Sequence, residues 1–273
     1  MDPVMIPNIL AIAGSDPSGG AGVQADIKAI SANGGYAMAA LTALTAQNTQ
    51  GVSGIHMVPP DFVAAQIASI RADIRIDAVK IGMLGDADIV AAVAKALDGL
   101  NAPIVLDPVM VAKSGDRLLT ARAVTALRTL LPISTLITPN LPEAADLLGE
   151  QEAKDRATME AQARALVALG PQAIFLKGGH LAGPDCPDLL MMRDGTITWM
   201  PGRRVLTQKT HGTGCTLSSA LATYLGFGLP LQAAAARAKA YVAGAITNAD
   251  QLSVGEGHGP THHFHAFHER SSA

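Results

Sequence analysis

The chain has 273 residues, 49% of them hydrophobic and 16% charged, and a formal net charge of −3. That length and apolar content support a sizeable core, and the scattered, balanced charge argues against a nucleic-acid or membrane surface. Two cysteines, Cys186 and Cys215, are too few for a disulfide framework and point to a reduced, cytoplasmic setting.

The start of the chain, Met1 to Met5, has neither a basic region nor a long apolar run, so no signal peptide is expected. Asn8 to Ala13 is a short apolar run ended by Gly14-Ser15-Asp16-Pro17, the pattern of a buried strand. Gly19 to Gly22 opens a helix that carries Val23, Ile27 and Ile30 and closes at Asn33-Gly34-Gly35. From Ala29 to Pro60 no Asp, Glu, Lys or Arg occurs. Ser31, Asn33, Thr42, Gln47 and Asn48 interrupt that run, so it reads as interior around a polar pocket, not as a membrane span. Met38 to Thr45 is expected as one strand, with Gln47 to Gly51 a polar loop at its end.

Helices are then expected at Pro60–Ile70, Asp86–Leu97, Thr120–Leu130, Pro142–Leu148 and Met159–Leu169. Strands are expected at Ala78–Met83, Pro103–Asp107, Thr135–Thr138 and Ala173–Lys177. This alternation predicts βαβ units: a three-layer αβα fold of the α/β class with a central, mostly parallel sheet. Asp194-Gly195 between two apolar runs predicts a hairpin, and two long helices follow at Cys215–Phe227 and Leu231–Ala249. No repeat or linker interrupts the chain, so residues 1–273 are read as one domain.

Ligands of such sheets bind at the carboxyl ends of the strands, and polar residues collect there. Strand ends are followed by the turn at Gly14, by Thr45 and Gln47, by Met83, by Asp107 and Val109, by Asn140 and Glu143, and by Lys177. Thr210-His211-Gly212-Thr213-Gly214-Cys215 places two glycines at the start of a helix. Free amides and the positive end of the helix dipole make that a cradle for a phosphate, and a thiol in the first turn tends to have a lowered pKa. The alternative is a glycine-rich turn with no ligand. Gly20-Ala21-Gly22-Val23-Gln24-Ala25 matches a dinucleotide fingerprint, but no acidic residue follows about 20 residues on to hold a ribose. Asn140 and Glu143 suit either an ordinary helix start or the ordering of Mg²⁺ and water beside phosphates. The histidine-rich tail from His258 to His268 reads as a docked structural tail rather than a metal site, lacking the Cys or carboxylate spacing of a zinc set.

Together, Gly14-Ser15-Asp16-Pro17-Ser18-Gly19-Gly20-Ala21-Gly22, Ala46-Gln47-Asn48-Thr49, Lys80-Ile81-Gly82-Met83, Thr138-Pro139-Asn140-Leu141-Pro142-Glu143, Lys177-Gly178-Gly179-His180 and His211-Gly212-Thr213-Gly214-Cys215 resemble a known set. They are similar to the hydroxymethylpyrimidine/phosphomethylpyrimidine kinases of thiamine biosynthesis, within the ribokinase-like superfamily, over almost the whole chain. The resemblance implies two ATP-dependent phosphorylations of 4-amino-5-hydroxymethyl-2-methylpyrimidine, to the monophosphate and then the diphosphate. It implies ATP and Mg²⁺ as cofactors and a small pyrimidine as substrate; the scattered charge gives no nucleic-acid or membrane partner, and a homodimer is the base-rate expectation for such an enzyme. By motif position, Gln47, Thr45, Asp26, Met83, Gly14 and Val109 would bind the pyrimidine, while Asp107, Lys177, Thr210 and His211 would hold ATP. Asn140 and Glu143 would order the metal. Gly212, Thr213 and Gly214 would receive the transferring charge, Cys215 would act as general base, and Lys113-Ser114-Gly115 would form a flap. Pyridoxal kinase, a related activity, and a non-catalytic binder of thiamine precursors are the alternatives.

Overall fold

The computed structural model describes residues 5–110 and 121–268. Lys113, Ser114 and Gly115, the expected flap, lie outside the described residues. The main sheet has eight strands in the order β10-β9-β8-β7-β6-β5-β1-β2. Its parallel part comprises β1 (Asn8–Ala13), β2 (Tyr36–Leu41), β5 (Ala78–Ile81), β6 (Ile104–Leu106), β7 (Leu136–Ile137) and β8 (Ala173–Leu176). The expected Asp-Gly hairpin is present as β9 (Asp188–Met192) and β10 (Ile197–Met200), and β9 runs antiparallel to β8.

These strands are buried on both faces, so they read as continuous apolar runs, and alternate residues divide between two cores. Leu10, Ile12, Val79, Ile81, Leu106, Ile174 and Leu176 point to one core. There they meet α2 (Pro60–Asp73), α3 (Ala87–Ala96), α4 (Ala121–Leu127), α5 (Leu141–Leu148) and α6 (Arg156–Ala168). Ile9, Ala11, Ala78, Val105 and Phe175 point the other way, to α1 (Gly22–Ala32), α7 (Thr213–Gly226) and α8 (Leu231–Thr247). The result is the three-layer αβα arrangement of the sequence reading. No helix among the described residues is long and apolar enough to cross a membrane.

One expected strand is corrected. The run Met38–Thr45 does not continue as a single strand: β2 ends at Leu41, and the chain leaves the sheet at Thr42. Its amide donates to the Ala13 carbonyl oxygen at 3.1 Å and its hydroxyl to that of Met83 at 2.7 Å. The next residues form a separate antiparallel hairpin, β3 (Ala43–Asn48) with β4 (Gly51–Met57). The expected loop at 47–51 is therefore the tip of this hairpin, and β4 is an element that the sequence pattern does not reveal.

The tail docks as expected. The His211 amide donates to the Gly259 carbonyl oxygen at 3.0 Å, and the Thr261 amide to that of His211 at 3.3 Å. Upstream, the His258 amide donates to the Thr49 carbonyl oxygen at 2.8 Å, tying the hairpin tip to the same segment. His263 is buried, with Nε2 3.0 Å from Thr216 Oγ1, and burial lowers its pKa to about 3. The folded chain therefore refuses a proton that the unfolded chain accepts below about pH 6.5. His263 contributes stability above that pH, which is lost as the pH falls toward 3. The urea midpoint of the wild-type protein should drop over this window, and His263→Gln should drop less steeply. Equal slopes would show that the buried ring has no such role.

Candidate active site

A cavity of about 1170 Å³ opens at the carboxyl ends of the parallel strands. Its wall includes Gly14, Thr45, Gln47, Met83, Asp107, Val109, Asn140, Glu143, Lys177 and Thr210 to Cys215, so fifteen of the sixteen residues expected at the site share one space. The sheet explains why: Asp107 follows β6, Asn140 follows β7 and Lys177 follows β8. The hairpin β3–β4 carries Thr45 and Gln47 to the same wall.

Gly212 is the N-cap of α7 with φ +78°, a conformation costly for residues with a Cβ, and an added Cβ would stand 1.7 Å from the Gly20 carbonyl oxygen. No side chain caps this helix; the Thr213 amide donates to the Thr210 carbonyl oxygen at 3.3 Å, and Gly214 and Cys215, whose amides follow, line the cavity. Across from them, Lys177 Nζ donates to Asp107 Oδ1 at 3.1 Å and lies 3.8 Å from Glu143 Oε2. The Thr138 hydroxyl also donates to Asp107 Oδ1, at 2.9 Å. At Gly214 a Cβ would come within 3.2 Å of Asp107 Oδ2 and 3.5 Å of Lys177 Nζ. The helix end, one ammonium and two carboxylates thus face each other across a gap that a side chain would narrow.

Asn140 and Glu143 satisfy the helix-start reading in full. The Glu143 amide donates to Asn140 Oδ1 and the Asn140 amide to Glu143 Oε2, each at 2.8 Å, a capping box on α5. Both also line the cavity. Burial pushes the Glu143 carboxyl up to about 7, with Lys177 opposing and Asp107 adding to the shift. A cation arriving beside Glu143 would therefore shift the balance of a carboxyl that is about half protonated at pH 7 toward its ionised form.

Two expectations change, those for Asp26 and for the Cys215 thiol, and His211 has partners on the hairpin side of the cavity. Asp26 does not line the cavity: it is fully buried beneath it. Lys80 Nζ donates to its two oxygens at 2.7 and 2.8 Å, and Ser219 of α7 donates to Oδ1 at 2.8 Å. Burial opposes the Lys80 charge, but Asp26, Cys215 and Asp107 outweigh it and hold the ammonium above its ordinary pKa. His211 faces the hairpin wall, with Nε2 2.7 Å from Asp16 Oδ2 and 3.5 Å from Gln47 Nε2. Cys215 does stand in the first turn of α7, but its thiol is not acidic. Burial raises it to about 11, Asp26 and Asp107 contribute, and Lys80 with the Gly22 amide only partly offsets them. Proximity to a helix N-terminus is outweighed by desolvation between two carboxylates.

Asp16 and Lys80 carry no role in the sequence reading. Asp16 is buried; burial alone would raise its carboxyl, but hydrogen bonds from His211, Ser18 and the Ala21 amide lower it to about 2. A lone lysine inside the apolar strand Ala78-Val79-Lys80-Ile81 was the available signal for a buried partner.

A family profile described as phosphomethylpyrimidine kinase matches residues 16–262. The hydroxymethylpyrimidine/phosphomethylpyrimidine kinases of Salmonella typhimurium and Escherichia coli are 52% and 50% identical to the chain, over 95% of it and 98% of each relative. Among solved structures, an ADP complex of Bacillus subtilis pyridoxal kinase superposes with a TM-score of 0.88 at 35% identity, covering 96% of this chain and 99% of that one. A phosphomethylpyrimidine kinase from Clostridium difficile 630 gives 0.77 at 37% identity, over 87% and 98%.

The buried pair makes a quantitative prediction. Asp26→Ala strands the Lys80 charge in the core and should cost about 3–5 kcal/mol in urea unfolding. Replacing both partners, Asp26→Leu with Lys80→Met, should cost less than that single change. A loss below about 1 kcal/mol for Asp26→Ala, the range of exposed ion pairs, would show that the pair does not hold the site floor.

Proposed function

The chain belongs to the phosphomethylpyrimidine kinase family, and from that premise we propose how its cavity works. It phosphorylates 4-amino-5-hydroxymethyl-2-methylpyrimidine with ATP, first to the monophosphate and then to the diphosphate, in thiamine biosynthesis. The observation that carries the site assignment is the uncapped amino end of α7 facing Lys177 and Asp107. Phosphoryl transfer passes through a loose transition state, so the protein chiefly aligns the reactants and stabilises charge. The amides from Gly212 to Cys215 and the Lys177 ammonium do the second, while Thr210 helps to seat the nucleotide.

Gln47, Thr45, Met83, Gly14 and Val109 form the pyrimidine side of the cavity. Gly14 leaves the room there: a Cβ would stand 2.5 Å from the Met83 methyl carbon. The donor set across the cavity is all oxygen (Asp107, Glu143 and the Asn140 amide), which suits Mg²⁺ held mainly by nucleotide phosphates and water. When bound there, the ion would neutralise charge on the transferring group. Asp107 and Glu143 would hold it, and Lys177 would keep both carboxylates in place.

With its pKa near 11, the Cys215 thiol enters the reaction protonated. We assign it a contact with the hydroxymethyl group, not the removal of its proton, which passes to an oxygen of the transferring phosphoryl group as the new P–O bond forms and the β–γ bond breaks. A second transfer onto an anionic phosphate needs no base at all. The enzyme is further read as a cytoplasmic homodimer.

The pyridoxal alternative has the higher fold similarity, but the sequence likeness lies with the pyrimidine kinases. A product-mass assay on the wild type and Cys215→Ala tests both points. The wild type should yield mono- and diphosphate, with kcat/KM for the pyrimidine well above that for pyridoxal; the reverse ranking would overturn the substrate. Cys215→Ala should lower kcat of the first step less than about 100-fold. A loss of about 10²–10⁴, the range for a general base, confined to that step would restore the thiol to that role.

A further inference from the structure

His211 precedes the N-cap of α7, yet its ring belongs to the wall that carries Gln47. The Asp16 carboxylate is its anchor. Oδ1 accepts from the Ser18 amide at 2.9 Å and from its hydroxyl at 2.7 Å, while Oδ2 accepts from the Ala21 amide at 2.8 Å and lies 2.7 Å from His211 Nε2. An ionised carboxylate only accepts, so His211 Nε2 carries a hydrogen and donates it to Asp16. The same nitrogen faces Gln47 Nε2 at 3.5 Å, and on the other side Gln47 Oε1 lies 3.2 Å from Thr45 Oγ1.

Those two facts conflict, because an amide NH₂ and an imidazole N–H are both donors. Rotating the amide by half a turn removes the conflict. The carbonyl oxygen then faces the imidazole N–H, whose single hydrogen goes to Asp16 at 2.7 Å and reaches the amide oxygen, 3.5 Å from Nε2, only as the weak arm of a shared bond, and the NH₂ meets Thr45 Oγ1. The Thr45 hydroxyl has one hydrogen, which it gives to the Ser15 carbonyl oxygen at 2.9 Å, leaving a lone pair to accept from Gln47. Each donor in the chain Asp16–His211–Gln47–Thr45–Ser15 finds an acceptor in this setting.

We propose that Asp16 and His211 fix the donor–acceptor order of the Gln47 amide, making His211 a positioning residue for pyrimidine specificity and not an ATP contact. This rests on the reading of Gln47 as the group that meets the pyrimidine edge. The amide keeps one N–H and one carbonyl lone pair for the ligand, in an order it cannot reverse. A 4-aminopyrimidine offers a ring-nitrogen acceptor beside an amino donor. Its 4-oxo counterpart offers a ring N–H donor beside a carbonyl acceptor, the reversed order. Held rigidly, the amide accepts the first and leaves polar groups mismatched against the second; freed to rotate, it can serve both.

The test is the ratio of kcat/KM for the 4-amino substrate over its 4-oxo analogue, with the KM for ATP measured alongside. The wild type should favour the amino compound by about 100-fold or more, as expected of a polar mismatch in a buried pocket. His211→Phe removes the N–H and should reduce that ratio at least about tenfold, a change worth about 1.4 kcal/mol, with the KM for ATP unchanged. His211→Gln, which can place an amide N–H near the position of Nε2, should keep most of the ratio. If His211→Phe does not fold, Asp16→Asn, which weakens the anchor, should lower the ratio in the same direction. An undiminished ratio in these variants, or a rise in the KM for ATP alone, would overturn the proposal. Gln47→Ala separates the premise: unchanged pyrimidine KM and ratio in that variant would show that Gln47 is not the pyrimidine contact.

Discussion

The site depends on how the amino end of α7 is pinned from below. Nearly two turns into the helix, Ser219 donates to Asp26, which Lys80 grips with two hydrogen bonds in the fully buried floor. On the neighbouring ridge, the Ser218 hydroxyl donates to the Gly214 carbonyl oxygen at 2.9 Å and lies 3.4 Å from Asp107 Oδ2. Two carboxylates, one inside α1 and one just after β6, thereby meet adjacent residues of one helix. A buried ion pair is rarely a net source of stability, but leaving either partner alone is costly. The arrangement therefore ties α7 to the strand and helix beneath it.

That placement has electrostatic consequences for every group above it. Burial, with the carboxylates that hold the helix adding to it, raises the Cys215 thiol, so the residue with the most nucleophilic chemistry is kept quiet. Burial, with Lys177 opposing and Asp107 adding to it, pushes Glu143 up to about 7, where the arrival of positive charge shifts its proton. A loose phosphoryl transfer asks for oriented dipoles and neutralised charge more than for a strong base, and the cavity is built along those lines.

Much of this was legible in the sequence. Alternation of apolar strands and helices gave the layers, and the polar residues that follow β1, β5, β6, β7 and β8 marked the cavity because parallel sheets present their ligands there. What stayed hidden depends on contacts distant along the chain. The break at Thr42 carries no glycine or proline; it is imposed by hydrogen bonds to Ala13 and Met83, so β3 and β4 could not be separated from β2 by pattern alone. Asp26 and His211 were assigned by motif position, but their partners, Lys80 and Asp16, lie 54 and 195 residues away and decide which way each side chain faces. The lowered thiol expected at Cys215 followed from the local helix start, while the opposing burial and carboxylates are tertiary.

In the proposed reaction the amides from Gly212 to Cys215 receive the charge of the phosphoryl group in flight. Amide NMR of the protein with Mg·ADP, a planar metal fluoride and the hydroxymethylpyrimidine would read this directly. The amide protons of Gly212 to Cys215 should move downfield on forming that complex, more than with Mg·ADP alone. Unmoved resonances there, with the large shifts elsewhere in the cavity, would contradict it.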